Sequence, residues 1–412
     1  MLAINGGEKT RTMPFPNPSR YLGNELRYLQ EALEQNNLFY TAGNFVKRFT
    51  ERFAEIYNMK HCVAASSCTA AVHMALGALE IGPGDEVIVS PITDMGGVIG
   101  VLALNAVPVF ADLDPHTYNM TAESINAVIS ARTKAVIVTH LAGNPCEMDE
   151  IVQLTKEKSI FLVEDCAQSY GSYYKGKLAG TFGDISCFST NEFKHISTGD
   201  GGMCLTNDEQ LYKKAVQFAD KGYDRTATTV AGLRAVHRLC MNYRMTELQG
   251  AVGLAQLDKL DYICSAHTAL GNELTKQLTG IKGLNPPKVM THNVSSYWLY
   301  LLRLDLARFP CGIEWFAEAL NAEGVSASAG YIGRCVYEYE LFQDSAIFPG
   351  STCPHGCLNY PPQTQYKKGL CPNAEDILND VVMLKFNCGY SMDDIYSIAS
   401  AIKKVCDIVV SF

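Results

Sequence analysis

The sequence predicts an α/β protein with a mostly parallel central sheet flanked by helices and a smaller C-terminal α+β domain. Short apolar runs alternate with helical stretches from His61 to Gly222, the pattern of strand–helix units that builds parallel sheets. One of these runs, Ile160–Val163, passes directly into Glu164 and Asp165, as a buried parallel strand ending in a carboxylate would. From about Ile263 the alternation changes. The large domain is therefore expected over residues 1–264, with an N-terminal helical segment, and the small one over 265–412.

Taken in order, residues 1–20 read as irregular surface chain. Glu25–Gln35 has helical apolar spacing at Leu26, Leu29 and Leu33, and Asn44–Tyr57 has Phe45, Phe49, Phe53 and Ile56 on one face, a core stripe. Cys62–Ala65 is a short strand, followed by a hydroxyl-rich turn, Ser66–Thr69, and a helix over 70–79. That turn is either an ordinary helix cap or a phosphate site built from free amides at the positive end of the helix dipole. Further strands are expected at 86–90, 107–111, 135–139, 185–188 and 202–206, with helices at 122–129, 149–157 and 209–222. His140, directly after a strand, reads as a capping or packing histidine ahead of a catalytic one. Residues 223–240 read as a loop and 246–260 as a helix of small residues. Beyond these come a strand at 298–304, a helix at 313–323, a loop rich in Pro, Tyr and Cys at 354–373, and a last helix at 393–408.

Bulk composition narrows the function. Of 412 residues, 47% are hydrophobic and 19% charged, values of a folded protein with a sizeable core. A net charge of −9 argues against nonspecific nucleic-acid binding and against a basic membrane-surface patch. The N-terminal stretch lacks the apolar core of a signal peptide, and the most apolar region, 98–111, is too short to span a bilayer. A cytoplasmic location is expected. The 15 cysteines are scattered, mostly in apolar runs, and read as reduced, buried thiols. The cluster Cys353–Pro–His–Gly–Cys357, with Cys371 beyond it, does not have the spacing of a zinc finger or ribbon, so no metal site is expected and a surface loop is the better reading. A dinucleotide fold is disfavoured, because no convincing G-x-G-x-x-G lies between a strand and a helix.

The chemistry concentrates between Ser159 and Cys204. Asp165 ends one strand, Ser189 ends the next, and Lys194 follows five residues on, before the turn Gly199–Gly202. In open α/β sheets, ligands sit beyond the carboxyl ends of the strands, so these three groups should converge on one crevice. Taken singly, a loop lysine is ordinarily a solvated charge and a strand-end aspartate a cap. Together they suit one chemistry. A lysine amine condenses with the aldehyde of pyridoxal phosphate, a carboxylate keeps the pyridine nitrogen protonated, and a hydroxyl bonds the phosphate.

From Phe45 to Leu260 the chain resembles the DegT/DnrJ/EryC1/StrS family of pyridoxal-phosphate sugar aminotransferases. The matching pieces, in order, are GNFVKRFTERFAEIY, SSCTAAV, IGPGDEVIVSP, AVPVFADLDPHTYNM, TKAVIVTHLAGNPCEMDEI, VEDCAQSYGS, FSTNEFKHISTGDGGM and NYRMTELQGAVGLAQLDKLD, with CPNAED further on. The resemblance implies the fold-type-I aminotransferase architecture, pyridoxal 5'-phosphate as cofactor, and a homodimer with shared active sites. By the same resemblance Lys194 is the lysine that binds the cofactor aldehyde and Asp165 the acid on the pyridine nitrogen. Gln168 touches the ring face or its hydroxyl, Ser189 and the Cys68–Thr69 pair bind the phosphate, and Asn242 reaches the phosphate of the partner subunit.

Three positions depart from the family pattern. Cys68 stands where glycine is usual, which keeps the backbone amide but loses glycine's conformational freedom. Asp94 stands where an aromatic side chain usually stacks on the cofactor; it is expected to bind the ring by charge, or else to contact the substrate or cap the next helix. His195 follows the lysine, and the family also contains dehydratases with histidine at the lysine position. Because Lys194 is present, transamination is expected, from glutamate or glutamine to a keto sugar (nucleotide-linked or phosphorylated) or a keto cyclitol. A sugar dehydratase or lyase of the same fold is the alternative.

Overall fold

The computed structural model describes residues 1–225, 230–343, 347–348, 350 and 366–409. Cys353 and Cys357 lie outside the described residues. The central seven-stranded sheet contains β1 (His61–Ala65), β2 (Glu86–Val89), β3 (Val107–Phe110), β4 (Thr133–Thr139), β5 (Phe161–Asp165), β8 (Ile185–Ser189) and β9 (Gly202–Thr206), in the order β1-β9-β8-β5-β4-β2-β3. The short strands β6 (Tyr173–Tyr174) and β7 (Lys177–Leu178) form a separate small sheet with β11 (Asn293–Val294). A four-stranded antiparallel sheet follows, built from β10 (Leu284–Asn285), β12 (Tyr300–Leu304), β13 (Ala327–Ala329) and β14 (Val381–Leu384).

Pairing from β3 through β2, β4 and β5 to β8 is parallel, whereas β9 runs antiparallel to both β8 and β1. The sheet is thus mostly parallel, as predicted, with one reversed strand. The reversal has a local cause: the connection from Ser189 to Gly202 contains no helix, and a parallel return needs a crossover, usually helical. Gly202, where β9 begins, lies so close to the next layer that a Cβ there would be 2.3 Å from the Ser67 carbonyl oxygen. The start of β9 is thereby pressed under the helix that follows β1.

The helices around the large sheet are α1 (Glu25–Glu34), α2 (Phe45–Ile56), α3 (Cys68–Ala78), α4 (Ile99–Ala103), α5 (Ala122–Asn126), α6 (Met148–Lys158), α7 (Glu209–Ala219) and α8 (Glu247–Leu257). α9 (Leu260–Leu278) is one continuous helix across the region where the pattern was expected to change. Its first turns, Ile263 and Cys264, pack with Phe45, Phe49 and Phe53 of α2, while Leu270, Leu274 and Leu278 pack into the core of the small sheet. α10 (Gly312–Ala322) and α13 (Met392–Val409) pack on that sheet, whereas the single-turn α11 (Glu340–Gln343) sends Phe342 against Phe110 of β3, and α12 (Pro372–Asp380) buries Ala374, Ile377 and Leu378 in the core of the large sheet. α12 begins inside the stretch expected to be loop; Pro372 occupies its first turn, where a missing N–H costs nothing.

Two readings of the N-terminal region need correcting. Residues 1–20 are irregular apart from one 3-10 turn, but Leu2 is fully buried in the small-sheet core, and the Ala3 N–H donates to Glu323 Oε1 at 2.8 Å. α1 has the predicted apolar spacing, yet Leu26 and Leu33 face outward while Glu25 and Ala32 are buried. Glu25 turns inward because Lys259 and Gln256 bond its carboxylate.

Candidate active site

The carboxyl ends of β2, β4, β5 and β8 deliver four loops to one place. Asp165 closes β5 and lies in register with Thr139 of β4 and Cys187 of β8. Its Oδ1 accepts the Ala167 N–H at 3.0 Å, and Oδ2 has no hydrogen-bond donor among the described residues. Burial raises its pKa, partly opposed by the Ala167 N–H and by the nearby Lys194. Against it rests the turn Met95–Gly97, close enough that a Cβ on Gly97 would be 3.2 Å from Asp165 Oδ2 and 3.1 Å from Thr93 Oγ1. Any larger residue there would push Thr93 or the carboxylate aside by a few tenths of an ångström.

Lys194 is half-buried, in the loop after β8. Its backbone is fixed from both sides: its N–H donates to the Asn191 carbonyl at 2.9 Å, and Arg20 Nη1 donates to its carbonyl at 2.7 Å. Its Nζ lies 3.8 Å from the centroid of the Trp298 ring and makes no hydrogen bond among the described residues. Burial lowers the lysine pKa, and the charges of Asp165 and Asp94 oppose that fall. Ser189, at the end of β8, is buried; its Oγ accepts the Asn191 N–H at 3.3 Å. Cys68 and Thr69 form the first turn of α3, capped by Ser67, whose Oγ accepts the Ala70 N–H at 3.0 Å. Amides in a first turn have no intrahelical acceptor and point outward along the dipole. Cys68 is half-buried and Thr69 exposed, and burial together with the charge of Asp165 pushes the Cys68 thiol pKa up.

Gln168 is buried and both ends of its amide are engaged: Oε1 accepts the Ala142 N–H at 2.7 Å and Nε2 donates to the Tyr331 hydroxyl at 3.0 Å. Ala142 holds a left-handed φ of 54°, so the turn after β4 is shaped to present that N–H. Asp94 is exposed and caps the 95–97 turn, its Oδ1 accepting the Gly96 N–H at 2.8 Å. Asn242 is exposed, in a backbone bridge with Asp220, and the carbonyl of the next residue, Tyr243, accepts the Ser66 N–H at 2.8 Å. His140 is fully buried; its Nδ1 accepts the Cys146 N–H at 3.1 Å, so its proton sits on Nε2, which donates to Glu164 Oε2 at 3.0 Å. His195 is also buried, with Nε2 donating to the Ser296 carbonyl at 3.2 Å; burial and the neighbouring His267 lower its pKa to about 3, so its ring is neutral. His140, Glu164 and Cys166 stand within 4.8 Å of one another, but Glu164 has no vacancy for a metal. Its two oxygens already accept from Gly180, Phe182, Gly183 and His140.

Sequence reading did not pick out Arg20, Trp298 or Tyr331, which wall this site. Trp298 is one of only two tryptophans in the chain, the one signal that pointed to it. Tyr331 follows β13, and nothing local marks it.

The sequence model of the DegT/DnrJ/EryC1/StrS aminotransferase family matches residues 22–403. The chain belongs to this family. It is therefore an aminotransferase dependent on pyridoxal phosphate. Family members it is similar to include the GDP-perosamine synthase of Escherichia coli O157:H7, 37% identical over 288 residues, which are 67% of this chain and 74% of that protein. The GDP-perosamine synthase of Vibrio cholerae is 32% identical over 371 residues, covering 89% and 97%. Among solved structures, an aminotransferase from Psychrobacter cryohalolentis superposes with a TM-score of 0.82 at 29% identity, over 97% of this chain and 100% of that one. No helix among the described residues is long and apolar enough to cross a membrane.

Proposed function

We propose that this aminotransferase moves the amino group of glutamate or glutamine to a keto sugar, and that Lys194, Asp165, Gln168, Ser189, Cys68 and Thr69 form its cofactor site. The observation that carries the reading is the meeting of a half-buried lysine amine with a buried carboxylate: among the described residues the amine makes no hydrogen bond and one carboxylate oxygen accepts none. These groups fit pyridoxal phosphate. A cation beside Asp165 Oδ2 would restore the charge balance that burial has upset, as a protonated pyridine nitrogen does, and the α3 amides with Ser189 suit a phosphate. When bound, the cofactor supplies an aldehyde for the amine and a ring that takes up an electron pair.

The chain's own residues do the rest. Asp165 holds a negative charge at a fixed, water-poor position, where it is worth more than in solvent. Lys194 Nζ, its pKa lowered by burial, takes the proton from the donor's α-carbon and returns it to the other side of the transfer. Gln168, clamped between Ala142 and Tyr331, fixes the tilt of what sits beside it. Asp94 adds a negative charge at the rim.

A nucleotide-linked acceptor is favoured because two of the relatives are GDP-perosamine synthases. A keto cyclitol is the second reading, since a relative from Micromonospora echinospora, 32% identical over 84% of this chain, carries the name of a putative L-glutamine:3-amino-2,3-dideoxy-scyllo-inosose aminotransferase. Mixing the holoenzyme with glutamate should release 2-oxoglutarate and bleach the cofactor band. Adding a GDP-linked keto sugar should restore it. Consumption of the sugar without any 2-oxo acid would replace transamination by the dehydratase or lyase reading.

We also propose a homodimer in the cytoplasm, with Asn242 completing the partner's phosphate site, and a division into 1–264 and 265–412 with α9 shared between the two. Leu22 and Leu26 are each 80% exposed and Leu33 60%, apolar side chains of one N-terminal segment that a partner subunit would cover. Sedimentation should return twice the chain mass; a fully active monomer would overturn the assembly.

A further inference from the structure

We propose that Trp298 is the positioning residue for Lys194: the face of its indole seats the lysine amine whenever that amine is not engaged elsewhere. The inference rests on the reading of Lys194 above, but on different observations. The Nζ lies 3.8 Å from the ring centroid, and the indole itself is held in place. Its Nε1 donates to the Phe193 carbonyl at 2.7 Å, one residue before the lysine, while Arg20 holds the lysine carbonyl at 2.7 Å. Tyr331 meets the indole edge-on, with centroids 6.4 Å apart at 84°, and is itself held by Gln168. Trp298 stands just before β12, so the small sheet supplies the seat for a residue of the large one.

A tryptophan face suits this task better than a carboxylate would. Hydrogen-bonded to an acid, the amine would stay protonated and tethered. An aromatic face attracts the ammonium without accepting its protons, so the amine keeps its place and still titrates. The other charged or titratable groups acting on the amine are Asp165 from β5, Asp94 from the 94–97 turn and Cys68 from α3. None of the three hydrogen-bonds it.

The chain has two tryptophans, and the second, Trp315, lies on α10 against the small-sheet core, so a Trp315→Phe background isolates Trp298 as a fluorophore. In the cofactor-free protein, its emission should change in one step with pH, and Lys194→Ala should abolish that step. In the holoenzyme, Trp298→Leu should lower kcat about ten-fold with the donor KM within about three-fold. It should also move the acidic limb of the pH–rate profile about one pH unit lower, because the ammonium loses its seat and the free amine appears at lower pH. Trp298→Phe, which keeps an aromatic face, should recover most of both. A pH step that persists in Lys194→Ala, or a Trp298→Leu enzyme with an unchanged pH profile, overturns the proposal. If the fluorescence step is present but glutamate yields no 2-oxo acid, the seat stands and the transamination reading falls.

Discussion

Glu164 and Asp165 are consecutive residues of β5, both carboxylates and both buried, and by strand alternation they face opposite sides of the sheet. Glu164 accepts from three backbone N–H groups, those of Gly180, Phe182 and Gly183, each at 2.7 Å, and from His140 Nε2 at 3.0 Å. Asp165 accepts one N–H and leaves an oxygen open beside a glycine. On the proposed reading of the site, the difference separates a structural acid from a catalytic one where burial alone does not. An acid whose oxygens are all engaged fixes chain; here Glu164 ties the 180–183 loop and, through His140, the 140–146 turn to the strand. An acid left with an open oxygen, in a place where burial disfavours its charge, is shaped for a partner that is not part of the chain.

Substitution separates the two. Asp165→Asn keeps the acceptor for Ala167 and removes only charge, so the protein should unfold at the same denaturant concentration as the parent or slightly higher. Its kcat should fall about a thousand-fold, the scale of losing one preorganised electrostatic group. Denaturant unfolding and steady-state rates on the same preparation check both halves. A destabilised but active Asp165→Asn enzyme would erase the distinction.

Glu164→Gln should behave in the opposite sense. Whichever oxygen becomes NH2, two N–H donors then face it, either Gly180 with His140 or Phe182 with Gly183. At ~1–2 kcal/mol for each stranded donor, the variant should lose about 2–4 kcal/mol of stability. The fraction that remains folded should retain its rate. An enzyme of unchanged stability would show that Glu164 is not the anchor the geometry makes it.

The contrast also explains what could be read from the chain alone. Asp165, Ser189 and Lys194 were visible because each stands at or just after the end of an apolar run, where a parallel sheet gathers its ligands. The saturation of Glu164 was not visible, because its donors are backbone groups of a loop whose shape no side chain announces. Arg20, Trp298 and Tyr331 were missed for a related reason: they reach Lys194 and Gln168 across 174, 105 and 163 residues, taking Trp298 at its bond to Phe193, and periodicity carries no such information. The reversal of β9 was in principle readable from the helix-free link after Ser189. The outward face of α1 was not, since the same leucine spacing serves a core or a subunit contact.

Asp94 sharpens the comparison to its smallest effect, because it does both jobs at once. Its Oδ1 accepts the Gly96 N–H, as a structural acid does, and its charge is felt at Asp165 and Lys194, as a site acid's would be. Asparagine caps as well as aspartate, so Asp94→Asn keeps the first role and deletes the second. Its stability should therefore equal the parent's. Cofactor retention should weaken several-fold, the scale of about 1 kcal/mol for a charge pair that solvent partly screens. Asp94→Ala should add the loss of the cap, about 1 kcal/mol, to the same loss of retention. Equilibrium dialysis against pyridoxal phosphate, with unfolding followed in parallel, reads the two effects separately. If Asp94→Asn holds the cofactor as tightly as the parent and changes only the acceptor's KM, the charge faces the substrate. If it changes neither, Asp94 belongs with Glu164 as a carboxylate whose work ends at its own backbone.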